Sequence, residues 1–263
     1  MLSHHPRTCQ SCRPLTLDRR GETSAKSAWI RARKAEAQYA SRLRRIAHVV
    51  GEIVRMGYAP DDPLALSWIR VALARYAVAI RPWAEKAAEV MVTEVASRDK
   101  AAWKAASEEI GRGLRTEIET APIGDVLRQR MADQVDLITS LPRDAAERVH
   151  RLAIESIENG TRASEIEARI LETGSVTKAR ATLIARTEVG RTATELNRAR
   201  AEHVGSTHFI WRTVHDADVR ATHRALDGKS FRWDEPPECD PGHHALPGCI
   251  WNCRCWAEPI IPN

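Results

Sequence analysis

Apolar residues return at alternating steps of four and three along most of this chain, and that spacing commits it to helices. Tyr39, Leu43, Ile46, Val50 and Ile53 draw one stripe down a helix of about 3.6 residues per turn. Gly57 and Pro60 end the stripe. Asp62 followed by Pro63 then supplies an N-cap with proline at the first helical position, where its missing N–H costs nothing. Ile69, Leu73, Tyr76, Ile80 and Trp83 repeat the spacing, with Pro82 as a break. Asp99 is placed to cap a segment bearing Trp103, Ala106, Ile110, Leu114 and Ile118. Leu127, Met131, Val135 and Ile138 mark the next helix, and Ser140-Leu-Pro142 opens another that stops at Gly160. Ser164 and Glu167 have capping-box spacing ahead of Ile170, and a long helix runs from about Thr177 to His203, ended by Gly205.

The character changes after Gly205. The run Thr207–Val214 is rich in β-branched and aromatic residues and predicts a strand; Asp216–Leu226 predicts a short helix, and Asp227-Gly228 a turn. Lys229–Trp233 is a second short strand, residues 234–248 are loop, and Asn252–Ile261 is a closing strand. The expected fold is mainly α, an elongated helical N-terminal part with a small C-terminal α+β element. Residues 1–24 read as a basic flexible tail, 25–140 as a helical region and 141–263 as the C-terminal domain.

Charge narrows the partners. The first sixty residues hold 12 Lys/Arg against 4 Asp/Glu, while the whole chain is only +5. Such a segment suits an acidic partner, nucleic acid or protein; a solvated helix face with a charged tail is the alternative. No apolar run approaches the roughly 18 residues of a membrane span, since Arg75 interrupts Val71–Ile80. The first residues lack the apolar core of a secretory signal, so a soluble protein of the cytoplasm is expected.

The cysteines fall into two groups. Cys249, Cys253 and Cys255, with Cys239 and His223, carry the ligand types of a structural zinc site, which needs four of them around one ion. Their spacing departs from paired knuckles, so buried core thiols are the alternative. On a strand, Cys253 and Cys255 would share a face with Trp251. His243 and His244 lie nearby, and Cys9 and Cys12 behind His4-His5 are half of a second site or a chance pair. Asp216, Arg220 and His223 are spaced to share one face of a short helix, as a general-base pair or as a polar network tying that helix to Trp211 and the closing strand. There is no phosphate-binding glycine loop and no Gly-x-Ser-x-Gly elbow. Arg180, Arg186, Arg191, Arg198 and Arg200 alternate with Glu188, Glu195 and Glu202, which reads as a salt-bridged solvent face.

Taken in order, several short motifs resemble one family. They are Ile184-Ala-Arg-Thr-Glu188, Asn197, Ala199-Arg200, Trp211 through Asp216, Arg220, His223, Leu226-Asp-Gly228, Pro247-Gly248 and Asn252-Cys-Arg-Cys255, with Pro259 following. Over roughly residues 145–260 the chain is similar to head-morphogenesis proteins like protein F of phage Mu. The resemblance implies a minor head protein of a tailed phage or prophage, in the head interior or at the portal vertex, with host cytoplasm as the place of assembly. Portal protein, major capsid or scaffold protein and the packaged DNA are the partners it implies, for procapsid assembly, DNA packaging or ejection. It implies no membrane, no catalytic residue and no cofactor, with zinc left open. Some relatives carry more cysteines where this chain has Arg220 and His223.

Two enzymatic alternatives stand beside this. An ADP-ribosyltransferase-like toxin would use a Glu-x-Glu pair, and the chain holds Glu117-Ile-Glu119 and Glu165-Ile-Glu167. A metal-dependent nuclease would draw on His215, Asp216, His243 and Asn252. In the structural reading, Trp83 and Trp103 are the candidate anchors of an interface.

Overall fold

A computed structural model of the chain describes residues 15–16, 23–59, 62, 64–110, 120–159 and 163–262. Helices dominate: α1 (Thr23–Gly57), α2 (Ala65–Ala79), α3 (Arg81–Ile110), α4 (Gly124–Asn159), α5 (Ala163–Leu171), α6 (Thr173–His203) and the short α7 (Ala221–Leu226). The strands are β1 (Leu15–Thr16), β2 (His208–Arg212), β3 (Ser230–Arg232), β4 (Glu238–Asp240), β5 (His243–His244) and β6 (Trp256–Ile261). The mainly helical class with a small C-terminal sheet is as the periodicity requires. Two compact units divide the chain: Ala32–Val95 with Leu127–Thr192, and Met1–Arg31 with Ala96–Val126 and Ala193–Asn263.

Among its described residues the first of these units has helices and no strand. Tyr39, Leu43, Ile46 and Val50 are buried on α1, and Val54 continues the stripe where Ile53 was expected, because 3.6-residue turns drift against a strict four-three count. Asp62 accepts the Leu64 backbone N–H at 2.9 Å just ahead of α2. Pro60 and Pro63 lie outside the described residues. Pro82 occupies the first turn of α3, a position that needs no amide hydrogen.

Pro142 corrects the sequence reading. It opens no helix but lies inside the continuous α4. Proline there leaves a carbonyl one turn back without its amide donor. Neighbouring side chains supply donors to the carbonyls around it: Ser140 Oγ to Leu137 O at 2.9 Å, and the Arg143 guanidinium to Thr139 O and Asp136 O, each at 3.3 Å. Burial of Ile138, Leu141, Ala145 and Val149 on both sides holds the helix through the break. Ser164, expected as a cap, lies within α5, and α6 begins four residues before Thr177.

Within the same unit α1 and α6 approach at two glycines. A Cβ on Gly174 would stand 2.9 Å from Gly51 Cα, whereas one on Gly51 would meet Gly174 Cα at an ordinary 3.5 Å. Gly174→Val should therefore cost about 1–3 kcal/mol by forcing backbone apart. Gly51→Ala should leave stability unchanged or raised by up to about 1 kcal/mol, through helix propensity. Urea denaturation of the two variants checks this asymmetry; equal losses would contradict the close approach.

A buried polar chain crosses this unit. Tyr39 Oη donates to Gln134 Oε1 at 3.0 Å, and Gln134 Nε2 to Glu188 Oε2 at 2.9 Å. Arg191 closes on Glu188 at 2.8 Å and Arg130 at 3.8 Å. Burial, with the Glu188 charge behind it, drives the Tyr39 phenol far above its ordinary pKa, so the hydroxyl stays a donor. Glu188, read as part of a solvent face, is instead 2% exposed.

The second unit carries the sheet, ordered β1-β6-β2-β3 and antiparallel throughout. Its core joins Phe209, Trp211, Trp233, Cys239, Cys253, Cys255, Ala257 and Ile261 to Trp103 of α3. Phe209 stacks on Trp233 with ring centroids 4.7 Å apart. Asn197 of α6 locks the helices to the sheet, accepting from Trp103 Nε1 at 3.1 Å and donating to Ala257 O at 2.9 Å. Trp103 is thus core and not an interface anchor, whereas Trp83 is 38% exposed. Asp99 caps nothing: it lies inside α3, buried, and pairs with Arg200 at 2.6 Å. Arg200 is 3% exposed, a second departure from the expected solvent face. Arg198, by contrast, pairs with Glu202 at the surface.

Candidate functional site

The cysteine motif falls just before β6, not on it. The predicted closing strand starts at Trp256 and not at Asn252, so Cys253 and Cys255 sit on an irregular segment. A turn precedes them: the Cys253 N–H reaches Ile250 O at 3.2 Å, and Asn252 takes the left-handed conformation at φ 59°. Asn adopts that region more readily than most residues, since its short side chain bonds locally. The turn leaves Trp251 54% exposed while both thiols are buried, so Trp251 does not share their face.

The short helix is shorter than its residues suggested. Only Ala221–Leu226 is helical, with Asp216 and Arg220 ahead of it. Their side chains brace the cysteine segment. The Arg254 guanidinium grips Asp216 in two hydrogen bonds of 2.5 and 2.8 Å, and Arg220 donates to Trp251 O at 2.8 Å. The buried network to Trp211 and the closing strand expected of Asp216 and Arg220 is not what these two residues form: Arg220 is exposed, and both reach the segment ahead of β6 instead.

His223 is the residue that α7 delivers to the interior, 2% exposed. Its Nδ1 lies 3.5 Å from Cys253 Sγ and 3.5 Å from Cys255 Sγ, and the three donor atoms all fall within 4.8 Å of one another. The edge of Trp211 packs on the imidazole, with centroids 5.4 Å apart and planes at 74°. On the far side Asp240 Oδ1 stands 3.7 Å from Nε2; Asp240 is itself fixed by Thr222 Oγ1 at 3.0 Å and by Arg220 at 3.5 Å. Asp240 went unremarked in the sequence because β4 is three residues with no periodicity to flag it.

The two thiols are shifted in opposite directions. A hydrogen bond from Cys255 holds the Cys253 thiol down at about 4, with the His223 ring acting in the same sense and burial opposing both. The same contact, reinforced by burial, drives the Cys255 thiol up. The Cys255 backbone N–H also donates to Cys253 Sγ at 3.4 Å.

The other candidate ligands do not join this trio, although Cys239 shares its core. Cys239 is buried on β4, its thiol donating to His243 O at 3.4 Å, and Cys249 is half-buried against the core. His243 and His244 are exposed on β5, with His244 Nδ1 at 3.0 Å from Pro236 O. His4, His5, Cys9 and Cys12 lie outside the described residues. Among the described residues no helix is long and apolar enough to cross a membrane.

Comparison with known proteins supports the motif resemblance. The family model described as Phage Mu protein F like protein matches residues 147–258. An uncharacterised protein of Haemophilus influenzae is 31% identical over 132 residues, covering 50% of this chain and 29% of that one. The minor head protein GP7 of Bacillus phage SPP1 is 28% identical over 152 residues, covering 52% of this chain and 49% of that protein. The chain therefore spans about half the length of one curated relative and less than a third of the other. No solved structure matches it significantly. Residues 147–258, which hold the buried His223 and its two thiols, are thus similar to the family described as Phage Mu protein F like protein.

Proposed function

We propose that the chain is a minor head protein of a tailed phage or prophage, acting by stoichiometric contact with portal or capsid protein during procapsid assembly, DNA packaging or ejection. The observation that carries this reading is the match over residues 147–258 together with the similarity to a phage minor head protein. The geometry is consistent with it, because the motif residues are engaged in holding the fold. Glu188 anchors the Tyr39–Gln134 chain, Asn197 ties Trp103 to β6, and Arg200 pairs with Asp99. Asp216 grips Arg254, and Asp227 Oδ1 accepts the Thr213 N–H at 2.8 Å. The surplus of basic residues in the first sixty suits packaged DNA as a non-specific partner.

The enzymatic alternatives find less support. Glu165 and Glu167 lie on α5 and not on a loop, and Glu117 and Glu119 lie outside the described residues. The nuclease candidates are dispersed among other contacts: His215 pairs with Asp227 at 3.2 Å, Asp216 with Arg254, and His243 is exposed on β5.

Co-expression with the portal protein of the same phage is the direct test. A complex of fixed stoichiometry should survive size exclusion, and deletion of the gene should permit lysis while yielding few infectious particles. Normal particle yield from the deletion would overturn the reading.

A further inference from the structure

We infer that His223, Cys253 and Cys255 bind one Zn²⁺ ion in a three-ligand site whose fourth position opens to water. The inference rests on donor geometry and stands apart from the head-protein reading. Zinc bonds of about 2.0 Å to nitrogen and 2.3 Å to sulfur, set at the tetrahedral angle, place the two donors about 3.6 Å apart. Both Nδ1–Sγ separations are 3.5 Å. Both histidine–sulfur separations thus match a single ion, and all three donor atoms lie within 4.8 Å of one another.

The surroundings have what such a site needs. A ligating histidine donates its other ring N–H to a carboxylate, which fixes the tautomer and raises ligand basicity. His223 Nε2 is buried without a hydrogen-bond partner, and Asp240 Oδ1 waits 3.7 Å away. The Cys255 N–H on Cys253 Sγ at 3.4 Å favours a thiolate. Two thiolates neutralise a divalent ion, so the filled site carries no net charge into the core. Thiolate with imidazole is a donor set that selects zinc over magnesium or calcium.

The fourth position distinguishes this site from a closed structural one. A cavity of about 70 Å³ lies beside the trio, lined by Asp218, Arg220, His223, Asn252, Cys253 and Cys255. That is room for a water with polar neighbours. Cys239, the other buried thiol, is turned to His243 O, and neither it nor Cys249 belongs to the cluster.

Metal analysis of the freshly purified full chain after dialysis should give one equivalent of zinc. Cobalt titration of the stripped protein should give tetrahedral d–d bands and a charge-transfer band with the intensity of two thiolates. Cys239→Ser and Cys249→Ser should retain one equivalent. Cys253→Ser, Cys255→Ser and His223→Ala should lose it, and Asp240→Asn should weaken zinc binding about 10–100-fold. Should a ligand variant fail to fold, the wild-type chain still decides: zinc should protect two thiols from alkylation. Zinc well below one equivalent with no thiolate–cobalt band, equal loss of metal in Cys239→Ser, or alkylation indifferent to zinc would each overturn the inference.

Discussion

Arg200→Met should destabilise the protein by about 3–5 kcal/mol at neutral pH, because it leaves the Asp99 carboxylate buried without its counter-ion. Both partners are buried, 2.6 Å apart. Burial already outweighs the pull of Arg200 and raises the Asp99 carboxyl from its ordinary value to about 6. The folded state therefore binds a proton more tightly than the unfolded chain does. In the wild type this group's contribution to stability is greatest below the unfolded pKa of about 3.9, and declines as pH rises to about 6. Losing Arg200 removes the one opposing pull, so in Arg200→Met the decline should extend to higher pH. The variant's deficit should shrink on acidification from pH 7.5 to 5, as the stranded carboxyl takes up a proton. Replacing the pair together, Asp99→Leu with Arg200→Met, should recover most or all of the loss, since apolar side chains carry no desolvation cost. Urea denaturation at the two pH values measures all three proteins. A double variant as unstable as the single one would show that the pair is not coupled in this way.

Trp211→Ala should cost about 3–5 kcal/mol, the range for emptying a fully buried aromatic site. Trp211 is 0% exposed on β2, a strand hydrogen-bonded on both sides to β3 and β6. Its own strand is held on both sides by backbone hydrogen bonds, which limits how far the hole can close. Trp211→Phe should lose less, because a ring still meets the His223 imidazole. A loss below about 1 kcal/mol for the alanine variant would place the weight of this core elsewhere.

Much of the helical half was legible because a buried face repeats with the helix. Tyr39 to Val50, and Ile69 and Leu73, follow from spacing alone, and the end of α6 at His203 from Gly205. The misreadings came where a local signal met a tertiary partner. Asp99 has the chemistry of a cap, but an arginine 101 positions later turns it into a helix-interior ion pair. Pro142 has the look of a helix start, yet its neighbours' side chains and packed flanks carry α4 through it. At the candidate site, His223, Cys253 and Cys255 were visible as ligand types. Their selection over Cys239 and Cys249 was not, because it depends on a left-handed Asn252 and on where α7 sets one imidazole. Asp240 could be found only through space.

Strand order has a consequence for timing. β6 lies between β1 and β2, yet it follows every other strand of its sheet in the chain. Elements emerge from the ribosome in sequence, and domains gain their contacts as they emerge. Trp211, Phe209 and the helix bearing Asn197 must wait, partly uncovered, until Ala257 and its neighbours have been made. Cys253 and Cys255 arrive in the same final stretch as β6, so the sheet and the histidine's sulfur partners are completed together. A product cut short before Trp256 has a helical unit and an exposed aromatic face, which is the kind of surface that proteases and chaperones retain. Synthesis of β6 is the step that covers the aromatic face of this sheet.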